Sequence, residues 1–395
     1  MGSEMCIRDR HDETLWLVRA KRDRLSKEVP EWEELRNMAC ATKLYSNSHL
    51  DELLVEFENN ARANGAHVYW AKDADEYCNI VYNILNQHGV KHFIKSKSML
   101  AEECELNPFL ESKGIEVVES DLGERILQLM HLKPSHIVLP AIHIKREQVG
   151  ELFEREMGTE KGNFDPTYLT HAARKNLRQK FIHAEAAMTG ANFAVASTGE
   201  IVVCTNEGNA DMGTSQPKLQ IAAFGMEKIV PDRESLGVFT RLLARSATGQ
   251  PITTYTSHYR KPREGGELHI IIVDNGRSKI LADPKHIKTL NCIRCGACMN
   301  TCPVYRRSGG YSYTYFIPGP IGINLGMLKA PLHYYDNVSA CSLCYSCSFV
   351  CPAKVDLAEQ IYLWRQDLDK LGKADRMKTV SYTHLRAHET LRHLV

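Results

Sequence analysis

Eight of the thirteen cysteines fall into two copies of one spacing. Residues 292–303 read C-x2-C-x2-C-x3-C-P, and residues 341–352 repeat the pattern. Iron in a sulfide cluster needs soft anionic ligands such as thiolates, and this spacing is the ligand run of two-cluster bacterial ferredoxins. The sequence therefore predicts two 4Fe–4S clusters close together, which would move electrons one at a time.

The fourth cysteine of each run is expected to serve the cluster of the other run. In such ferredoxins the first three thiolates surround one cluster, and the fourth crosses over to the second cluster. The predicted ligands of cluster I are Cys292, Cys295, Cys298 and Cys351. The predicted ligands of cluster II are Cys341, Cys344, Cys347 and Cys302.

Other uses of these cysteines fit the spacing poorly. A zinc site would use two C-x2-C pairs separated by a spacer, or one pair followed by histidines. Disulfides would need an oxidising compartment and a small secreted chain. The remaining cysteines are scattered, so each is expected to be a small buried apolar residue rather than a ligand. They are Cys6, Cys40, Cys78, Cys104 and Cys204.

The composition indicates a globular protein and gives no sign of binding to nucleic acid or to a charged membrane surface. Its 395 residues suggest two or three domains. A net charge of +1 implies no strong electrostatic attraction to nucleic acid or to a membrane surface. No apolar run is long enough to span a bilayer, and no secretory signal is visible because the N-terminus has no apolar h-region. Free thiols together with cluster ligands indicate a reducing cytoplasm.

Both ends of the chain look foreign to the rest. Residues 1–10 (MGSEMCIRDR) and 381–395 (SYTHLRAHETLRHLV) continue no pattern on their inner sides and resemble translated sequencing-adaptor sequence. The alternative is an ordinary charged tail. We favour the artefact and exclude both ends from reasoning about the fold.

Between these ends the hydrophobic period switches repeatedly between helix and strand. Residues 11–44 are predicted to form an N-terminal helical segment. Residues 45–283 alternate amphipathic helices with strand-like runs, which predicts βαβ units, a mostly parallel sheet and one α/β domain. Residues 284–372 are predicted to form a helical ferredoxin domain with an insertion of 38 residues between its ligand runs.

Three runs within the α/β domain test this interpretation. The apolar residues 137–139, which follow Pro134, are predicted to form a strand, and so are residues 252–256. Residues 166–188 are predicted to be helical throughout.

Three loops of this domain could bind a ligand. Residues 95–98 (KSKS) follow a predicted strand and precede a helix, where backbone amides and lysines suit a carboxylate or phosphate. The alternative is a solvated basic turn. Gly199 in residues 197–200 permits a tight turn or close ligand approach, although the spacing alone favours a plain hairpin turn. Residues 206–211 (NEGNAD) are small and polar between strands, and many such loops are merely turns.

If a parallel sheet brings these loops together, they would complete a site for a small carboxylate. The candidates are Lys97, Ser98, Thr198, Gly199, Asn206, Glu207, Gly208 and Asn209. No catalytic residue is assigned, and His136, His143 and His183 are expected to be structural. No G-x-G-x-x-G follows a strand, so no dinucleotide site is predicted.

With these residues in view, the chain resembles the lactate utilization protein B family of bacterial iron–sulfur proteins. The resemblance runs from about residue 30 to residue 378 and includes both cysteine runs. Four other stretches carry it: residues 95–99 (KSKSM), 134–143 (PSHIVLPAIH), 189–211 (TGANFAVASTGEIVVCTNEGNAD) and 268–279 (LHIIIVDNGRSK).

The resemblance implies that the α/β part is a lactate-utilization (LUD) domain, similar in fold to the sugar-phosphate isomerase and CoA-transferase-like group. It implies two companions, a protein with cysteine-rich cluster-binding repeats and a stand-alone LUD protein, which together with this family oxidise L-lactate to pyruvate in the cytoplasm. Many relatives read A-E-T-G where residues 196–199 read A-S-T-G. Relatives also continue for some tens of residues past residue 378, so a truncated C-terminus is expected.

The first functional hypothesis is an electron-transfer subunit of a lactate-oxidising complex. No flavin or nicotinamide site is visible, so the two-electron chemistry of lactate needs a partner or another cofactor. One alternative is a subunit of another 2-hydroxyacid (glycolate-type) or heterodisulfide-type oxidoreductase. Another is a ligand-binding sensor that uses its clusters as a redox switch.

Overall fold

The computed structural model describes the backbone of residues 2–373 and the side chains of residues 11–373. The proposed artefact at residues 381–395 and the expected truncation near residue 380 lie outside the described residues. The side chains of the proposed artefact at residues 1–10 lie outside them as well. Within the described part, no helix has the length and apolar character needed to cross a membrane.

The strands of the described chain form two sheets. They are β1 (His67–Ala71), β2 (His92–Lys95), β3 (Glu116–Glu119), β4 (Ala186–Gly190), β5 (Phe193–Val195), β6 (Glu200–Thr205), β7 (Leu219–Gly225), β8 (Ile229–Val230), β9 (Tyr255–Tyr259) and β10 (Glu267–Val273). The larger sheet has six parallel strands in the order β1-β10-β7-β4-β2-β3. The smaller sheet has the order β8-β5-β6-β9, in which only β5 and β8 run parallel. The mostly parallel sheet is therefore confirmed.

Helices cover both faces of the larger sheet and make up nearly all of the regular structure after β10. They are α1 (Gly2–Lys27), α2 (Trp32–Ser48), α3 (Leu50–Ala63), α4 (Ala74–Gln87), α5 (Met99–Glu103), α6 (Leu106–Ser112), α7 (Leu122–Met130), α8 (Arg146–Met157), α9 (Pro166–His183), α10 (Asn209–Ser215), α11 (Arg233–Thr248), α12 (Arg277–Leu281), α13 (Ala297–Thr301), α14 (Pro303–Ser308), α15 (Gly319–Lys329), α16 (Pro331–Tyr334), α17 (Asp336–Ala340), α18 (Ser346–Val350) and α19 (Leu357–Lys370). Short 3-10 helices span Met226–Lys228, Ile287–Asn291 and Gly310–Ser312.

The central strands read as continuous apolar runs because both of their faces are buried. Every residue of β7 is buried, and in β10 only Glu267 is exposed. Successive side chains of a strand point to opposite faces. Ile271 packs with α4 on one face, whereas Ile270 and Ile272 pack with α3 and the smaller sheet on the other. This two-sided core fixes the carboxyl ends of the parallel strands along one edge.

The prediction of a strand at residues 137–139 was wrong. This segment is a loop, because the amides of Val138 and Leu139 donate to Nδ1 of His136 at 3.0 and 3.1 Å instead of pairing with a strand. The apolar side chain of Ile137 packs against the ferredoxin part, which explains an apolar run outside the sheet.

Two other boundaries differ from the sequence-based expectation. Helix α9 ends at His183 and β4 begins at Ala186, so residues 166–188 are not one helix. The fully buried start of β4 is rich in alanine, and a short buried apolar run does not distinguish helix from strand. The strand predicted at residues 252–256 lies later, as β9.

The ferredoxin part is helical, as expected, and the N-terminal helices pack against it. Helix α1 contacts α11 of the α/β domain together with α13 and α14. Nη2 of Arg22 donates to the carbonyl of Val350 at 3.2 Å, and Nε of Arg36 donates to the carbonyl of Cys351 at 3.1 Å. Helices α1 and α2 therefore tie the cysteine loops to the α/β domain.

Candidate functional site

The two cysteine runs have the same backbone conformation. The third residue of each run has a left-handed φ, 60° at Arg294 and 49° at Leu343, and so does the fifth, 79° at Gly296 and 61° at Tyr345. Non-glycine residues reach this region at a cost and tend to stay there only where the surrounding structure demands it. The same turns recur at equivalent positions, and each is followed by a short helix, α13 or α18.

These turns aim backbone amides at cysteine sulfurs. Such N–H···S contacts favour the anionic form of the sulfur, because the donor's partial positive charge faces it. They occur at both ends of the two cysteine runs. The contacts are Arg294 to Cys292 (3.4 Å), Leu343 to Cys341 (3.4 Å), Tyr305 to Cys302 (3.5 Å) and Val355 to Cys351 (3.4 Å).

Cys295 and Cys302 each have thiol neighbours from the other cysteine run. Burial raises the pKa of Cys295 to about 12, and the next largest cause is the neighbouring Cys351 from the other run. Burial likewise raises the pKa of Cys302 to about 11, and Cys341 and Cys344 of the other run raise it further. Thiolates packed this closely and out of water need a positive centre to stay deprotonated, and the iron of a cluster supplies one. The individual ligand assignments stay a prediction.

Among the described side chains, one group of three or more potential ligands has all its ligand atoms within 4.8 Å of one another, and it contains no cysteine. That group is His67, Glu267 and His269, at the start of β1 and β10.

The other cysteines behave mostly as expected. Cys78 and Cys104 are buried, and Sγ of Cys78 donates to the carbonyl of Cys104 at 3.2 Å. Cys40 and Cys204 are half-buried. The side chain of Cys6 lies outside the described residues.

A cavity of about 260 Å³ lies between the α/β domain and the first cysteine loop. Ser96, Gly190 and Gly225 line it, so it sits at the carboxyl ends of β2, β4 and β7. Ligands of open parallel sheets bind at this edge. Arg294 and Cys295 line the same cavity, which places a predicted ligand of cluster I in its wall.

Five of the eight predicted substrate-site residues line this cavity. They are Lys97, Ser98, Asn206, Glu207 and Asn209. The structure therefore brings the first and third predicted loops together. Asn206 is already engaged, because its Oδ1 accepts hydrogen bonds from Nε2 of Gln250 at 2.9 Å and the amide of Thr254 at 3.1 Å.

The other three predicted residues do not line the cavity. Gly208 has a left-handed φ of 63° and precedes α10. Residues 196–199 form the turn of the β5–β6 hairpin, where the carbonyl of Thr198 accepts from Asn64 at 2.8 Å. A Cβ on Gly199 would lie 2.3 Å from the amide nitrogen of Ala61 in α3. The glycine there permits close packing of the backbone, and the plain hairpin turn is what the structure has.

The basic turn at residues 95–98 is not solvated. Nζ of Lys95 lies 2.7 Å from Oε1 of Glu119, and Nζ of Lys97 lies 2.9 Å from Oε1 of Glu124. Burial works to lower the pKa of Lys97, but the charges of Glu124 and Glu102 outweigh it and raise the pKa. The positive charge of Lys97 is therefore already balanced within the protein.

Sequence reasoning missed a network of charged side chains that also lines this cavity. Arg277 donates to both oxygens of Glu103, at 3.0 and 2.9 Å, and also to Oε2 of Glu227. Nη2 of Arg294 lies 3.7 Å from Oε1 of Glu227. Burial favours a raised pKa for Glu227, but the charges of Arg277, Lys228 and Arg294 lower it to about 2. Glu227 and Lys228 lie in the short 3-10 helix after the buried strand β7, and charged residues at this position were the signal that the sequence offered.

The network separates the first cavity from a second one of about 430 Å³. Glu103, Glu227, Arg277 and Arg294 line both. Lys228 lines only the first, where burial lowers its pKa to about 8, Glu227 opposes that shift and Arg294 adds to it.

Comparisons with known families agree with this arrangement of domains. The family described as LUD domain matches residues 54–280, and the family described as 4Fe-4S dicluster domain matches residues 288–355. The second match includes all eight cysteines of the two runs, and the chain carries a two-cluster iron–sulfur domain after an α/β domain.

Curated relatives match over most of this chain. "Lactate utilization protein B" of Geobacillus thermodenitrificans is 44% identical, covering 88% of this chain and 74% of its own length. "Uncharacterized electron transport protein YkgF" of Escherichia coli is 39% identical, covering 95% and 80%. A crystal structure of a DUF162 family protein from Deinococcus radiodurans is 15% identical with a TM-score of 0.33, and the match covers 57% of this chain and 98% of that one.

Proposed function

Because this chain belongs to the lactate utilization protein B family and joins a LUD domain to a 4Fe-4S dicluster domain, we propose that it is the electron-transfer subunit of a cytoplasmic complex that oxidises L-lactate to pyruvate. The observation that carries the proposal is the position of Cys295. This predicted cluster ligand lines the cavity at the carboxyl edge of the parallel sheet, so a molecule bound there would lie beside the first cluster.

The eight cysteines would hold the clusters in crossed sets. Cluster I takes Cys292, Cys295 and Cys298 with Cys351, and cluster II takes Cys341, Cys344 and Cys347 with Cys302. Support comes from the repeated left-handed turns, the N–H···S contacts and the thiol neighbours across runs. When bound, two such clusters pass electrons one at a time.

The stoichiometry suits two clusters. Oxidation of one L-lactate to pyruvate releases two electrons and two protons, and each cluster accepts one electron. The protein's part is to hold the acid near Cys295 and to position both cysteine loops through α1 and α2. The step that takes hydrogen from lactate is assigned to the assembled complex, since two-electron chemistry of this kind commonly uses another cofactor.

Electrons would leave toward a partner at the second cysteine run. Cys344 is exposed, and Phe349 nearby in the chain is 75% exposed. An exposed aromatic side chain beside an exposed cluster ligand suits contact with another redox protein. The companions implied by the resemblance are a cysteine-rich cluster protein and a second LUD protein.

The cavity would bind the carboxylate substrate. Ser98, Glu207 and Asn209 belong to this proposed site because they line the cavity. Lys97 and Asn206 also belong to its wall, although both already have partners within the protein. Thr198, Gly199 and Gly208 stand outside it and act through the shape of their loops.

Reduction of the clusters tests this function. The chain would be purified without oxygen together with its companions, and paramagnetic resonance would be recorded after adding L-lactate, D-lactate or glycolate. Reduction by L-lactate is expected. Reduction by glycolate alone would favour the other 2-hydroxyacid oxidoreductase, and clusters that stay oxidised with every acid would favour a sensor.

Iron analysis separates the cofactor from the reaction. Two four-iron clusters require about eight iron and eight sulfide per chain. Protein isolated without oxygen that bound zinc and no iron would contradict the proposal before any lactate is added.

A further inference from the structure

Beside the first cysteine loop the cavity is lined by three cations, Lys228, Arg277 and Arg294, and by two carboxylates, Glu103 and Glu227. Glu103 and Glu227 both bind Arg277, and Lys97 is paired with Glu124. Lys228 and Arg294 remain on the same cavity wall. Lys97 therefore has a close carboxylate of its own, whereas Lys228 and Arg294 share Glu227 with Arg277.

Arg294 has a guanidinium nitrogen without a partner. The side chain is only 10% exposed, and its Nη2 reaches Glu227 over a long 3.7 Å. Its Nη1 is buried and makes no hydrogen bond to any described residue. Leaving such a donor unpaired costs about 1–3 kcal/mol, and more for a charged group, so native proteins usually give it a ligand or a water.

Lys228 adds a second charge to the same wall. Among the described residues, its ammonium makes no hydrogen bond and no ion pair within 4 Å, and the carboxylate whose charge acts on it is Glu227. Lys43 does not line the cavity, because its ammonium donates instead to the carbonyl of Glu227. Residue 225 must be a glycine for Glu227 and Arg277 to pack against it. A Cβ there would lie 2.2 Å from Oε2 of Glu227 and 2.3 Å from Nε of Arg277.

The rest of the cavity suits a small organic acid. Its volume of about 260 Å³ is below the ~300 Å³ at which pockets for drug-sized ligands begin. Phe224 and Leu243 give it an apolar side. Oγ1 of Thr205, another lining residue, is buried without a hydrogen-bond partner in the described chain.

We propose that Lys228 and Arg294 bind the carboxylate of a small 2-hydroxy or 2-oxo acid in this cavity, with the hydroxyl of Thr205 available to its second oxygen. A guanidinium and an ammonium on one wall suit a carboxylate, because their N–H groups form charge-assisted hydrogen bonds with it. The inference rests on the proposed function, which supplies the acid as substrate. In this assignment Lys97 does not bind the acid, and instead it shapes the cavity wall through its ion pair with Glu124.

Equilibrium binding tests the inference without turnover. The holoprotein, purified without oxygen and with oxidised clusters, would be titrated calorimetrically with pyruvate, acetate and inorganic phosphate. Pyruvate is expected to bind more tightly than acetate or phosphate. Phosphate binding as tight as pyruvate would overturn the assignment to an organic acid, and so would the absence of any pyruvate binding.

Substitutions then test whether the charges of Lys228 and Arg294 bind pyruvate. Lys228→Met and Arg294→Gln should each weaken pyruvate binding about ten- to hundred-fold, the loss of one charge-assisted hydrogen bond. Lys261→Met, at an exposed lysine outside the cavity, should bind pyruvate as the unaltered protein does. Iron content is measured for each variant, and Lys228→Met serves alone if Arg294→Gln loses its clusters.

The same variants exclude a role confined to the cluster. If Lys228 served only to balance cluster charge, Lys228→Met would shift the reduction potential and leave pyruvate binding unchanged, which would overturn the inference. Failure of the proposed function has another signature, because a protein that binds pyruvate normally could still leave its clusters oxidised when lactate and companions are added.

Discussion

Nε2 of His136 donates a hydrogen bond to Oδ1 of Asn300 over 2.9 Å, and this contact joins the α/β domain to the helix that contains Cys298. Asn300 presents its oxygen because its Nδ2 donates to the carbonyl of Ala247 at 2.9 Å. Nδ1 of His136 accepts from two amides of its own loop, so the ring is neutral and carries its proton on Nε2. Burial lowers the pKa of His136 to about 3, and the bond to Asn300 opposes that shift.

Replacing this histidine should destabilise the junction of the two domains. His136→Leu leaves the oxygen of Asn300 and two loop amides unpaired, and each buried unpaired group costs about 1–3 kcal/mol. We expect the free energy of unfolding in urea, measured without oxygen, to fall by more than about 2 kcal/mol. His171→Leu, at an exposed position of α9, is the control. Equal stability of the two variants would contradict the junction.

Removing one fourth cysteine should damage the cluster of the other run. Cys302→Ala takes a predicted ligand from the cluster held by Cys341, Cys344 and Cys347, because the fourth thiolate crosses over. Paramagnetic resonance of the reduced variant should lose or alter that signal and keep the other. Cys204→Ala should keep both. Selective loss of the cluster bound by the first run would refute crossed ligation.

Arg277 should be the most costly single charge to remove from the cavity wall. Its side chain is 7% exposed and binds two carboxylates that are themselves 10% and 4% exposed. Arg277→Met leaves both carboxylates buried without their cation, and breaking a buried ion pair in this way costs about 3–5 kcal/mol of stability. Urea unfolding should show this loss, whereas Arg260→Met, at an exposed arginine, should change stability by less than about 0.5 kcal/mol.

Lys97 should contribute to stability through Glu124. Lys97→Met leaves a carboxylate that is 7% exposed without its partner, so unfolding free energy should fall by about 3 kcal/mol. Adding Glu124→Gln removes the stranded charge and should recover most of that loss. The double-mutant cycle measures the coupling. A Lys97→Met complex with normal stability and reduced lactate turnover would instead return Lys97 to direct substrate binding.

Features written into short stretches of chain could be predicted from the sequence. The gaps of two residues around Cys295 and Cys344 let three cysteines of one short loop reach one cluster, so they indicate cluster ligands before the fold is known. The apolar runs of β7 and β10 likewise predict buried parallel strands, because both faces of such strands must be covered. The same reasoning placed residues 95–98 and 206–211 at one edge of the sheet, and the structure brings them together at the cavity.

Features that depend on partners distant in the chain were decided only by the tertiary structure. The apolar residues 137–139 look like a strand, yet the ring of His136 takes their amides and Ile137 packs on the ferredoxin part. Lys97 looks like a free cation until Glu124 is placed 2.9 Å from it.

The cavity's charge has the same origin. Arg277 and Arg294 come from different segments and meet at Glu227 only after the sheet and the first cysteine loop have packed together. Burial makes each of these charges depend on what lies within a few ångströms, because little water is left to screen it. Those distances between residues of different segments cannot be read from residue spacing along the chain.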